Sequence, residues 1–172
     1  GVTSELDLLA DAAKVARHVG DHDLARRCTD RVLAATSGSP HHRAVSFSAT
    51  LTDALLRFEA GAPPATVFPA ALERARTDEE VLGVITEWTW ATLFTEGPHA
   101  AEQLITAHTA AMPNRVARLW AEATAATVVG YVGRWGIARD RALTIAGQLE
   151  AGDPVRLQLT VRTLLAMAGG FD

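Results

Sequence analysis

Five glycines set the interval of this chain. Gly20, Gly61, Gly97, Gly133 and Gly170 stand 41, 36, 36 and 37 residues apart. Each follows a stretch with helical apolar spacing, and turn signals rich in Asp, Pro and Gly follow the first four. Glycine ends helices because it accepts the left-handed conformation at C′, and Pro or Asp opens the next helix. Further breaks fall at Ser37-Gly38-Ser39-Pro40, Thr77-Asp78, Pro113-Asn114 and Gly152-Asp153-Pro154. The breaks predict nine helices that alternate between a longer A and a shorter B element. The A helices are expected at 3–19, 41–60, 78–95, 114–132 and 154–168, and the B helices at 21–36, 64–76, 98–112 and 136–150. A helix pair repeated at this period, each pair burying its face against the next, is the signature of an α-solenoid.

Composition points the same way. Thirty-three of the 172 residues are alanine and only 6% are aromatic. Alanine is the best helix former and is depleted in sheets, so an Ala-, Leu- and Val-built core favours an all-α fold. Apolar residues recur at helical spacing in Leu6, Leu9, Ala13 and Ala16, in Leu24, Cys28, Val32 and Ala35, and in Leu143, Ala146 and Leu149. No segment alternates as a half-buried strand does.

The charge balance excludes some functions. Sixteen basic residues face 20 acidic ones, without the basic excess of a nucleic-acid-binding module. Fifteen of the 16 basic residues are Arg, which reads as a coding bias rather than as a set of phosphate contacts. A single cysteine, Cys28, excludes an internal disulfide and a Cys-based zinc site, and a reducing cytoplasm is the expected setting. The uncharged run 123–133 has 11 residues, where a bilayer span needs roughly 20, so no membrane partner is expected. No basic segment followed by an apolar one opens the sequence, so no secretory signal is expected. Gly1 in place of an initiator Met, and the turn 168–172 that closes the sequence, lead us to expect a single helical-repeat domain, 1–172, excised from a larger protein. Its repeats would span about 3–38, 39–77, 78–113, 114–152 and a partial 153–172.

The segment Gly20-Asp21-His22-Asp23-Leu24-Ala25-Arg26-Arg27-Cys28-Thr29-Asp30-Arg31-Val32-Leu33 resembles the second half of a tetratricopeptide repeat. There a Gly-Asp turn is followed, five residues after the glycine, by a small Ala packed against helix A. Gly133 and Ala138 repeat that offset, whereas Ala101 and Ala65 fall one residue short of it. The Trp and Tyr of the family pattern are mostly absent. In texture the stretches 18–27, 141–154 and 152–172 are similar to the C-terminal sensor region of large actinobacterial ATP-binding LuxR-type transcriptional regulators of the signal-transduction ATPase class. That resemblance implies a right-handed superhelix of antiparallel helix pairs. It implies neighbouring nucleotide-binding and helix-turn-helix domains in the parent protein.

Candidate chemistry is sparse. His18 and His22, flanked by Asp21 and Asp23, have metal-ligand spacing, but Gly20-Asp21 breaks the helix between them, so a solvated turn is the simpler reading. His41 and His42 are adjacent and point about 100° apart on a helix, so they cannot chelate together. Gly130-Tyr131-Val132-Gly133-Arg134-Trp135-Gly136 imitates a glycine-rich phosphate loop, but a helix precedes it where a strand is needed. Its small residues read instead as an inter-helix turn with close packing. Cys28 lies on an apolar stripe, so it reads as a small core residue and not as a nucleophile. No metal, cofactor or enzymatic activity is expected.

Polar residues within the A helices remain. In tetratricopeptide repeats helix A lines the concave groove, which makes Arg43, Glu87, Arg118, Glu122, Arg156 and Arg162 candidates, since an Arg holds a carboxylate or phosphate through its forked donors. The plainer alternative is a solvated face, or an i, i+4 pair of Arg118 with Glu122. The helix at 78–95 is apolar nearly all round, which suits a central helix buried on both sides. Trp88 and Trp90 on that helix cannot face one way, and we take Trp88 with Arg43, Glu87, Arg118, Glu122 and Arg162 as the candidate binding set. Trp120 is read as core. The expected function is a non-catalytic sensing or interaction domain that binds a small effector or a protein segment on its concave face. The alternative is a free-standing peptide-binding adaptor. The final helix should pack on the one at 136–150, and its uncapped outer face offers a surface to a second copy.

Overall fold

The computed structural model describes residues 4–37, 40–110 and 112–170. Among them the secondary structure is entirely helical: α1 Glu5–His18, α2 His22–Thr36, α3 Arg43–Glu59, α4 Pro64–Arg74, α5 Asp78–Thr95, α6 Pro98–Thr109, α7 Arg115–Tyr131, α8 Trp135–Ala146 and α9 Val155–Gly169, with a 3-10 turn Pro40–His42 before α3. The described residues therefore hold nine α-helices and no strand, as an all-α chain requires. Thr3, Gly38, Ser39, Ala111, Phe171 and Asp172, used above to place helix ends and turns, lie outside the described residues.

The chain divides into two compact units, Gly1–Ala75 and Arg76–Asp172, and the boundary falls beside the expected junction of the second and third repeats. In the first unit α1, α2, α3 and α4 pack in succession, and α1 also packs on α3. In the second, α5 through α9 pack in succession, with α5 on α7 and α7 on α9. Each A helix thus meets its B partner and the next A helix within the unit. The last helix packs on α8, as the sequence predicts.

Three of the four A-to-B turns are built identically. After α1, α3 and α7 the glycine amide donates to the C2 carbonyl and the next amide to the C3 carbonyl: Gly20 to Arg17 and Asp21 to Ala16, Gly61 to Phe58 and Ala62 to Arg57, Gly133 to Gly130 and Arg134 to Val129. These are Schellman closures, and they need the left-handed φ of +84°, +97° and +81° at the three glycines. Gly97 is also left-handed, at +93°, but its amide reaches back to Thr92. The residue after it is Pro98, which has no N–H to make the second bond. Gly170 departs from the series: it is the C-cap of α9 rather than the residue after it, and its φ is −84°.

The helix starts explain the seat of the small residue. The N-caps of the B helices are Asp21, Pro63, Gly97 and Arg134. The fourth helical residue after each is Ala25, Val67, Ala101 and Ala138, exposed by only 0%, 2%, 0% and 1%. The buried seat is therefore counted from the N-cap and not from the glycine. In the α5–α6 turn the glycine is itself the N-cap, so the offset is four; in the α3–α4 turn Ala62 and Pro63 lengthen it to six, and Ala65, read above as the small residue, is exposed.

Several expected boundaries move for local reasons. Helix α1 starts at Glu5 because Ser4 and Asp7 form a capping box. Helix α4 stops at Arg74, where Ala75 turns extended, because Glu80 accepts hydrogen bonds from the amides of Arg76 and Thr77 in the box that opens α5. Helix α8 ends at Ala146 rather than 150, because the Glu150 amide donates to Asp153 at 2.8 Å and draws the chain into a turn.

The cores are built from small and branched residues. In the first unit Ala10, Val32, Val45 and Ala49 form one cluster, and Ala16, Ala25 and Leu56 another. In the second unit Leu119, Ala123 and Ala126 of α7 pack with Ala142 and Ile145 of α8 and with Leu157, Val161 and Leu164 of α9, and Trp120 lies against the cluster. Two predicted stripes are rotated. On α2 the buried residues are Ala25, Cys28, Thr29, Val32 and Thr36, leaving Leu24 and Ala35 exposed; on α8 they are Ala138, Ala142 and Ile145, leaving Leu143 exposed. Closely approached helices select alanine for the contact line, and the longer leucine turns outward.

Candidate functional site

A cleft of about 420 Å³ lies in the second unit, between α6, α7 and α8. Helix α6 and its C-cap supply Thr106, Thr109 and Ala110; α7 supplies Glu122 and Ala125; α8 supplies Arg141, Thr144 and Ile145. That volume falls within the range of small-molecule pockets, about 300–1,000 Å³. Two B helices wall the cleft and α7 provides its floor, so it does not lie between A helices, where the tetratricopeptide resemblance puts the binding groove.

Arg141 is already engaged. Its guanidinium donates to Glu102 of α6 at 2.5 Å, and the same carboxylate lies 3.9 Å from Arg134, the N-cap of α8. This ion cluster links the two B helices and also borders a smaller cavity of about 120 Å³ lined by Pro98, His99, Glu102, Val128, Val129, Val132 and Arg134. Glu122 differs. It is half-buried and has no hydrogen bond or ion pair among the described residues, and the Arg118–Glu122 pair that helical spacing permits is not formed. Thr109 and Thr144 donate their hydroxyl protons to the carbonyls of Ile105 at 2.6 Å and Asp140 at 3.0 Å. Their oxygens are left as acceptors.

The other candidates are scattered. Arg43 is exposed at the start of α3, in the first unit. Arg118, Arg156 and Arg162 are exposed on α7 and α9. Glu87 is half-buried on α5, again with no ion pair among the described residues, and it does not line the cleft. Trp88 leans on His108 of α6, with ring centroids 6.0 Å apart. Trp90 turns instead to α7, edge-on to Tyr131 at 5.3 Å and beside Phe94 at 6.2 Å. Phe94 and Tyr131 are 72% and 62% exposed, so it is Trp90, and not Trp88, that joins an exposed aromatic patch along the A helices of this unit. The exposure of Phe94 also departs from the expectation of a helix covered on both sides.

The glycine-rich stretch before α8 serves packing. A Cβ on Gly130 would stand 2.6 Å from Cζ3 of Trp135, so the missing side chain admits the indole against α7. His18 uses Nδ1 on the carbonyl of Lys14 at 2.9 Å, and His22 lies 3.5 Å from Glu59. No group of three or more His, Cys, Asp or Glu that could hold a metal occurs among the described residues. Cys28 is a buried free thiol.

One buried polar site is structural. Asp153, between α8 and α9, accepts from the Glu150 amide and from Arg115 Nη2, while Arg115 Nη1 donates to the Gln148 carbonyl at 2.9 Å. The Glu150 amide first, then Arg115, hold the Asp153 carboxyl below its ordinary range, and the bond to Asp153 raises Arg115. This pins the α8–α9 turn to the first residue of α7.

The sequence pointed to Glu122 but missed Glu102, Arg141 and the threonines beside them. A usable signal was present: opposite charges on α6 and α8 stand 39 residues apart, about one repeat. No helix among the described residues is long and apolar enough to cross a membrane. No protein-family model, curated protein or solved structure matches the chain significantly.

Proposed function

We propose that the chain is a non-catalytic, ligand-sensing helical-repeat module, working in the cytoplasm as part of a bacterial transcriptional regulator of the LuxR-like, ATP-binding type. The observation that carries the sensing half of this reading is the α6–α7–α8 cleft. It is of small-molecule size, and a ligand lying in it would touch three helices at once. A ligand that fits one spacing of those helices better than another shifts their equilibrium by its difference in affinity. The regulator half rests on the resemblance to the sensor regions of such proteins. The parent gene is then expected to encode a nucleotide-binding module before this segment and a helix-turn-helix after it; a parent lacking both overturns that half.

A thermal-shift screen of small metabolites tests the sensing half. It compares the native chain with Thr144→Trp, which fills the cleft from an exposed position. We expect a compound that stabilises the native chain and not the variant. A screen in which every stabilising compound acts equally on both sinks the cleft as the sensing site, and turnover of any compound overturns the non-catalytic reading.

The second reading is a peptide-binding adaptor, favoured by the exposed patch of Trp90, Phe94 and Tyr131. Large exposed aromatics mark interaction surfaces more often than chance exposure does. If this reading is right, Phe94→Ser abolishes peptide capture and leaves compound binding in the cleft untouched.

A further inference from the structure

We infer that the cleft between α6, α7 and α8 takes a small organic cation, an ammonium group carried on an apolar body. The inference rests on the cleft being the sensing site and adds the class of ligand. Its basis is the inventory of donors and acceptors that face the space. The cationic group on the walls, Arg141, is bonded to Glu102 at 2.5 Å. The anionic group, Glu122, is half-buried and has no partner among the described residues. Arg118 stands one turn before Glu122 on α7, but it is exposed and does not line the cleft. The Thr109 and Thr144 hydroxyls spend their protons on their own helices and present lone pairs. Thr106 adds a hydroxyl that can donate or accept, so the one charge in the cleft left without a partner among the described residues is the Glu122 carboxylate.

A carboxylate accepts and never donates, whereas an ammonium offers three donors and no acceptor. Charge-assisted bonds of that kind are roughly twice as strong as neutral ones. Ala110, Ala125 and Ile145 provide the apolar contact for the rest of the ligand. An anionic ligand would share Arg141 with the Glu102 carboxylate, which already offsets its charge, and would meet Glu122 as a like charge. A neutral alcohol could donate one bond but would leave the charge of Glu122 uncompensated.

Three isosteric probes test this by calorimetric titration of the 172-residue chain: tryptamine (cation), tryptophol (neutral) and indole-3-acetate (anion). We expect tryptamine to bind about tenfold or more tightly than tryptophol, with indole-3-acetate weakest. Glu122→Gln should bring tryptamine down to the level of tryptophol and leave tryptophol unchanged. Thr144→Trp should weaken both. Glu122 has no structural partner, so the Gln variant should fold, which its circular dichroism and melting curve will show. Equal binding of tryptamine and tryptophol, both lost in Thr144→Trp, overturns the cation inference and leaves the cleft as a sensing site. Preference for indole-3-acetate also overturns it and makes Arg141 the anchor. If none of the three binds, the inference fails, while the cleft as a sensing site stands or falls by the metabolite screen alone.

Discussion

The two units treat the carboxylates on their helices differently. In the first, Glu59 at the end of α3 accepts from Arg17 of α1 at 2.9 Å and lies 3.5 Å from His22 of α2, and Asp53 faces Arg57 one turn on at 3.9 Å. Both acids of that A helix hold structure together. In the second, Glu102 on a B helix plays the part of Glu59, joining Arg134 and Arg141. The A-helix acids Glu87 and Glu122, however, are half-buried with no ion pair among the described residues. Partial burial without a partner is costly for a charge. In the reading proposed above, a ligand in the cleft supplies the partner that Glu122 lacks. That difference separates a unit whose A-helix acids Asp53 and Glu59 are paired from one whose Glu87 and Glu122 are not.

The largest expected effects lie at the close helix contacts that both units share. Ala25 and Ala138 fill the same seat, fourth after the N-cap, and both are buried. Ala25→Leu and Ala138→Leu should each cost about 1–3 kcal/mol by overpacking, measured by urea unfolding. Ala65→Leu, at the exposed position once taken for the equivalent seat, should cost almost nothing. Equal losses at all three would mean that Ala65 also fills a close-packed seat and that the count from the N-cap fails.

A second test uses acid. The Asp153 carboxyl is lowered in the folded chain, so its ionised form is stabilised by folding. That stability is fully present above the unfolded pKa, about 3.9, and is lost as pH falls through the lower folded value. Asp153→Asn should therefore be less stable than the native chain at pH 7 and approach it below about pH 4. A constant gap between the two melting curves from pH 7 to pH 3 would show that the loss is steric and not ionic.

Smaller effects are expected at the matched caps. Ser4 opens α1 and Thr77 opens α5, each through a capping box, one in each unit. Ser4→Ala and Thr77→Ala should each cost about 1 kcal/mol, read from the shift in urea midpoint. Hydrogen exchange should place the loss in the first turn of the helix concerned.

How far the sequence disclosed all this depends on the range of the forces involved. The helix order was legible because Gly, Pro, Asp and Asn act on their immediate neighbours, and the left-handed Gly20, Gly61, Gly97 and Gly133 ended helices where the spacing placed them. What was misjudged came from contacts distant in sequence. Helix α8 stops early in a turn that Asp153 closes, and Asp153 is held in turn by Arg115, 38 residues before it. Leu143 was expected inside because periodicity ranks leucine above alanine, but close approach to α7 and α9 selects Ala142. Glu122 was legible as a polar residue in an apolar helix. Arg141 was not, because its significance lies in being occupied by Glu102, a pairing between helices that are not consecutive.

The smallest expected effect separates the carboxylates of the two units most directly. Glu59→Gln removes an acceptor that serves Arg17 and His22, and should cost up to about 1 kcal/mol, the scale of a partly exposed ion pair. Glu122→Gln removes a charge that nothing among the described residues compensates, so its melting temperature should be unchanged or slightly raised. Proteins commonly give up stability at the positions where they bind. A loss at Glu122 as large as the loss at Glu59 would mean that Glu122 is a structural group, and the cation-binding reading would go with it.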